Sequence, residues 1–197
     1  MKLIIVRHGE TEENARHIFM GQRQGTLNAK GKEQARKLAN KLKGYHIDMV
    51  FSSDLRRAAD TTKAIVKYHK VPVKYTKELR EQHLGSFQGR KWDAYDKARK
   101  LEGASETRFR PPGGESFTGQ RNRVRAFLRR VYKGYRSKTV LISAHAGIAW
   151  CLVSIYLRIP LAKTKKMVPK NCGVIVLEID GTEAKIVSNT LFPGKLL

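Results

Sequence analysis

The chain has 197 residues, enough for one sizeable hydrophobic core, and its 41% hydrophobic content excludes a disordered polymer. Its two cysteines, Cys151 and Cys172, lack CxxC spacing and indicate neither a zinc site nor a disulfide framework, so a reducing, cytoplasmic setting is expected. The formal charge of +23, from 40 basic against 17 acidic residues, sets up a field that attracts polyanions and steers anionic substrates.

The first element is a short strand, Leu3-Ile4-Ile5-Val6, too short an apolar run for a secretory signal. It leads directly into Arg7-His8-Gly9-Glu10-Thr11. A strand end is held rigidly, so a guanidinium and an imidazole there can be aimed at one group, with Gly9 allowing a sharp turn. A polar loop to about Leu27 precedes a helix bounded by Asn28 and Gly44. Its apolar stripe, Ala35, Leu38, Ala39 and Leu42, is surrounded by lysines and an arginine, as on a solvated face. A strand at Met49-Val50-Phe51 follows, then Ser52-Ser53-Asp54 as capping residues of a helix that buries Ala58, Thr62, Ile65 and Val66. Val71-Pro72-Val73-Lys74-Tyr75 reads as a strand near a sheet edge, because Pro72 cannot donate to a ladder.

Glycines and prolines interrupt the pattern from Leu79 to Ser116, with a short helix from Trp92 to Leu101, and the part around 82–116 is expected to cover the substrate. Helical periodicity returns at Val124, Phe127, Leu128 and Val131. Thr139 to Leu157 carries no charged residue and is flanked by Lys138 and Arg158, as a membrane span would be. A buried strand, a turn with His145 and Gly147, and a helix with one stripe of Ile148, Cys151, Leu152 and Ile155 account for it better, so no membrane insertion is expected. A hairpin of Val174–Leu177 and Ala184–Val187 around Asp180-Gly181 ends the pattern. Alternating strands and helices imply an α/β fold, a three-layer α/β/α sandwich around a mostly parallel sheet, as one domain over residues 1–197.

The ends of neighbouring parallel strands gather at one sheet edge, so loops distant in sequence can share a crevice. Arg7, His8, Arg57, Glu81 and His145 would meet there: two guanidiniums, two imidazoles and a carboxylate, a set suited to phosphoryl transfer. The helix after Asp54 would add backbone donors and its positive end. These residues, with Asn14, Gly21-Gln22, Leu27-Asn28-Ala29-Lys30-Gly31, Ser52-Ser53-Asp54-Leu55-Arg56-Arg57-Ala58, Leu79-Arg80-Glu81, Gly114-Glu115-Ser116 and His145-Ala146-Gly147, resemble the histidine phosphatase superfamily with its phosphoglycerate-mutase-like fold. The resemblance implies that His8 is the nucleophile and is transiently phosphorylated. It implies further that Arg7, Arg57 and His145 hold the phosphoryl oxygens, and that Glu81 is acid and then base. Asn14, Gln22 and Ala146 would contact the phosphate, with no metal and no cofactor.

Two departures bear on activity. His145-Ala146-Gly147 stands where the family commonly has His-Gly-Gly, a small change. Gln82 and Leu84 stand where mutases of the family have Arg and Tyr for a phosphoglycerate carboxylate. Hydrolysis of a small phosphorylated metabolite is therefore expected, with a phosphoglycerate mutase and a basic phosphoprotein- or nucleic-acid-binding protein as alternatives. The basic residues are spread over several helix faces without a nucleic-acid-binding motif, so nucleic acid is not expected as the main partner. His17, His46, His69 and His83 read as surface or packing residues without metal-like spacing. Asp54 reads as a helix cap, and Phe109 and Phe117 as either pocket or core.

Overall fold

The computed structural model describes residues 1–181 and 183–188. Its sheet has the order β3-β2-β4-β1-β5-β6. The strands are β1 (Lys2–Arg7), β2 (Met49–Ser53), β3 (Val73–Thr76), β4 (Thr139–Ala144), β5 (Val174–Asp180) and β6 (Glu183–Ser188). The first four run parallel, whereas β5 pairs antiparallel with both β1 and β6. The proline-marked strand does lie at an edge, and the hairpin around Asp180-Gly181 is present. The α-helices are α1 (Glu12–Ala15), α2 (Ala29–Leu42), α3 (Arg56–Val66), α4 (Trp92–Leu101), α5 (Phe117–Gly134) and α6 (Ala146–Tyr156).

Strand period makes the layers. In β1, Leu3 and Ile5 belong to the core under α5 and α6, while Ile4 and Val6 belong to the core under α2 and α3. Central strands covered on both faces have no polar side, which is why β1 reads as an uninterrupted apolar run. A third, smaller cluster of Leu84, Phe87, Tyr95 and Phe109 lies beneath α4. Phe109 is thus core, and the segment over 82–116 carries apolar packing of its own.

Several local expectations need correction. The loop after β1 holds a helical turn, α1, capped by the Thr11 side chain and Asn14 in a reciprocal box. Ser52 and Ser53 lie within β2 and do not cap a helix; the N-cap of α3 is Leu55, with no side-chain bond. Asp54 instead holds Arg80 through two hydrogen bonds, 2.7 and 2.5 Å. Helix α6 buries nearly its whole circumference, from Gly147 to Ser154, rather than one stripe, because α5, β1 and the turns at 161–167 all pack on it. With 11 residues it is far shorter than a bilayer, and among the described residues no helix is long and apolar enough to cross one.

Gly9 turns the chain without a left-handed backbone. Its role is close approach: a Cβ there would stand 2.5 Å from the Gly31 carbonyl oxygen, and one on Gly31 would stand 2.0 Å from that of Glu10. The two glycines let the start of α2 press against the loop carrying His8. Gly31→Ala should therefore lower stability by about 1–3 kcal/mol and disturb the loop after β1. Thermal melts with proton chemical shifts of the His8 ring check both; an unchanged melting temperature contradicts the contact.

Candidate active site

The C-terminal ends of β1, β2 and β4 lie side by side, with Arg7 paired to Ala144 and Ser52 to Ser143 in register. One more residue along β1 and β4 brings His8 and His145 together, their ring centroids 5.1 Å apart. Arg57 reaches them from the first turn of α3. Its guanidinium is 1% exposed and spends its donors on three acceptors: Nε–H on His8 Nε2 at 3.3 Å, Nη1 on the Arg23 carbonyl at 2.9 Å, and Nη2 on the Gly21 carbonyl at 2.8 Å. Burial lowers its pKa to about 10, which still leaves it charged at neutral pH.

Those contacts determine the His8 tautomer. Nδ1 lies 2.6 Å from the Gly9 carbonyl, which can only accept, and Nε2 receives the Arg57 donor. The proton therefore sits on Nδ1 and the lone pair on Nε2. The Asn171 side-chain amide donates to the His8 carbonyl at 3.1 Å and to Asn14 Oδ1 at 3.2 Å, tying the strand end to the loop before β5. The sequence offered no sign of Asn171; it is an isolated amide 163 residues from His8.

Glu81 is held at both oxygens. Oε2 accepts from the Gly147 amide at 3.0 Å, and Oε1 from the Gln82 amide at 2.9 Å and the Gln120 side chain at 3.0 Å. A Cβ on Gly147 would stand 2.3 Å from Glu81 Oε1, so a larger residue there would displace the carboxylate. His145 Nε2 lies 2.8 Å from Ser53 Oγ, and among the described residues its Nδ1 has no partner. Arg7 donates from Nη1 to the Pro169 carbonyl at 3.1 Å, while its buried Nε is likewise unpaired. Ser53 and Gln120 are further members that sequence reasoning missed, Ser53 because its place after a strand resembled a cap.

A cavity of about 460 Å³ opens over this group, lined at its inner end by Arg7, His8, Asn14, Arg57, Glu81 and Ala146. Gln22 does not line it: its side-chain amide donates to the Glu81 backbone carbonyl at 3.1 Å and supports that residue from behind. Gln82 and Leu84, the two departures from the mutase pattern, both line the cavity, as does Phe117. His17 packs edge-on against Trp92 at the rim, and His83 Nδ1 accepts the Gly85 amide.

Burial, then the charges of Arg57 and Arg7, hold His8 well below the ordinary imidazole value of 6.5, and burial with Arg57 does the same to His145. The unfolded chain therefore binds more protons than the folded one from about pH 6.5 down to the folded values, and stability falls as pH drops through that window. The melting temperature should be level above pH 7 and decline below about 6.5. Nitrogen-15 spectra should keep both rings neutral at pH 6.5, with His8 in the Nδ1–H form; a protonated His8 there contradicts the site as described.

The profile of the histidine phosphatase superfamily (branch 1) matches residues 3–190. A metal-independent phosphoserine phosphatase of Arabidopsis thaliana is 36% identical over 173 residues, covering 83% of this chain and 70% of that protein. A broad-specificity phosphatase of Saccharomyces cerevisiae is 43% identical over 94 residues, 45% of this chain, and the matched part spans only 41% of the yeast protein. Among solved structures, a mycobacterial glucosyl-3-phosphoglycerate phosphatase in complex with VO3 superposes with a TM-score of 0.85 at 26% identity, over 95% of this chain and 97% of that one. With its profile matched almost end to end and its sheet of the same form, the chain belongs to branch 1 of the histidine phosphatase superfamily.

Proposed function

We propose that the protein is a phosphomonoesterase that hydrolyses small phosphorylated metabolites through a phosphohistidine on His8. The observation that carries this reading is the pair of buried, unpartnered nitrogens, Arg7 Nε and His145 Nδ1, beside a histidine whose lone pair is already directed by its neighbours. Buried polar atoms without partners are rare, and donors of this kind around a nucleophile fit an anion that completes them. Ser53 Oγ accepts the Leu55 amide, which lets its own proton go to His145 Nε2 and keeps the His145 proton on Nδ1, the nitrogen left without a partner.

In the first step His8 Nε2 attacks phosphorus and the ester P–O bond breaks, with Arg7, Arg57 and His145 spreading the charge on the equatorial oxygens. Protonated Glu81 gives its proton to the departing alkoxide. In the second step water attacks the same phosphorus, Glu81 takes a proton from it, the P–N bond breaks, and the electron pair returns to Nε2. Asn14 orients the phosphate, and the N-termini of α3 and α6, the latter carrying Ala146, face it. Reading the chain as one domain working in the cytoplasm, with its +23 charge steering substrates rather than binding nucleic acid, agrees with this chemistry.

Rapid quenching with substrate should trap one acid-labile phosphoryl group, lost in His8→Ala; label on His145, or label surviving that substitution, overturns the mechanism. Glu81→Gln should slow phosphoenzyme formation about 100-fold or more for alkyl phosphates and much less for an activated aryl phosphate. Gly147→Ala, which displaces the Glu81 carboxylate, should show the same dependence on leaving group, and equal losses on both substrates would remove Glu81 as the acid.

Arginines supply the positive charge that transfer requires, so EDTA should leave turnover unchanged. Salt should weaken apparent affinity for multiply charged substrates while sparing turnover at saturation. Loss of activity with EDTA and its return with magnesium would contradict the first expectation; tight, sequence-selective nucleic-acid binding at physiological salt would contradict the steering role.

A further inference from the structure

The cavity changes character away from His8. One group of rings is formed by Phe19, Trp92 and Tyr95, with Phe19 5.3 Å from Tyr95 and 5.7 Å from Trp92, and the latter two lie on one face of α4. A second is the Phe117–Trp150 pair, centroids 4.4 Å apart. Ring walls of this kind favour a flat apolar guest, which stacks or meets them edge to face.

The charges along the outer wall point the same way. Its one lysine among the described lining residues, Lys165, is paired with Glu106. The other acid, Asp96, stands 3.5 Å from Arg99. Gln82 spends its side-chain amide on the Glu115 carbonyl at 2.7 Å. Among the described residues of this wall, a second anionic group on a substrate would meet one cation, Lys165, would compete with Glu106 for it, and would lie near Asp96. Desolvating such a group without a partner is unfavourable.

Resting on the phosphatase reading, we infer that the site selects phosphate monoesters of alcohols that carry an aromatic ring and no second anion. A phosphorylated hydroxy acid or amino acid is disfavoured by the same wall. Trp92, 41% exposed at the rim, and the Lys165–Glu106 pair determine that selection.

Benzyl phosphate, glycerol 3-phosphate and 3-phosphoglycerate test it, because all three lose a primary alkoxide and differ mainly in what the alcohol carries. Phosphate release should give kcat/KM for benzyl phosphate at least about tenfold above either other ester. Trp92→Ala should reduce that ratio several-fold, chiefly through KM for benzyl phosphate. Glu106→Gln, which frees Lys165, should raise 3-phosphoglycerate relative to benzyl phosphate several-fold. Equal or better use of 3-phosphoglycerate by the unaltered enzyme, or a ratio indifferent to both substitutions, overturns the inference while leaving the phosphatase reading in place. No phosphate from any of the three, with no phosphoryl group on His8, overturns both.

Discussion

A buried guanidinium without a counter-ion is the constraint around which this site is organised. Arg57 is almost entirely shielded from water, yet among the described residues it pairs with no carboxylate; it leans on two backbone carbonyls and the imidazole of His8. Withdrawing a charge from water costs several kcal/mol after relaxation, and neutral acceptors return only part of that. The loop at Gly21–Arg23, the turn into α3 and the end of β1 must all hold position to supply those acceptors. In the proposed reaction, an entering phosphate dianion would provide what the resting protein lacks.

The same field governs the histidines. Burial, and then the positive charge of Arg57 and Arg7, keeps both rings neutral, as the proposed nucleophilic attack by His8 requires. A phosphate bound as proposed would offset the arginines and so weaken the positive field on both rings. Glu81 shares that field, since its charge acts on Arg7 and Arg57, and it is positioned by the Gly147 and Gln82 backbone amides and by Gln120.

Much of this was legible before any coordinates. Strand period and apolar runs located β1 and β4, and the helix from Trp92 to Leu101 was read with its observed bounds. Arg7, His8, Arg57, Glu81 and His145 could be brought together because parallel strands end at a common edge. What could not be read depends on register and distance. Ser53 meets His145 only because β2 and β4 pair as they do, and Gln120 reaches Glu81 from 39 residues away. Gln22 was expected on the phosphate but supports the backbone of Glu81, since short-range pattern says nothing of which way a loop amide turns. Gly9 was read as a turn because its contact partner, Gly31, belongs to another element.

The small cluster beneath α4 shares no buried residue with the two cores that flank the sheet. Arg7, His8 and His145 stand at the ends of strands anchored in those two cores, and Arg57 in the first turn of α3, whereas Trp92 and Tyr95 stand on the separately packed helix. On the inference drawn above, replacements along α4 would alter which alcohol is accepted while the reaction centre keeps its alignment. An architecture divided in this way can diversify its substrates by drift on one helix, and a change of diet need not put the chemistry at risk.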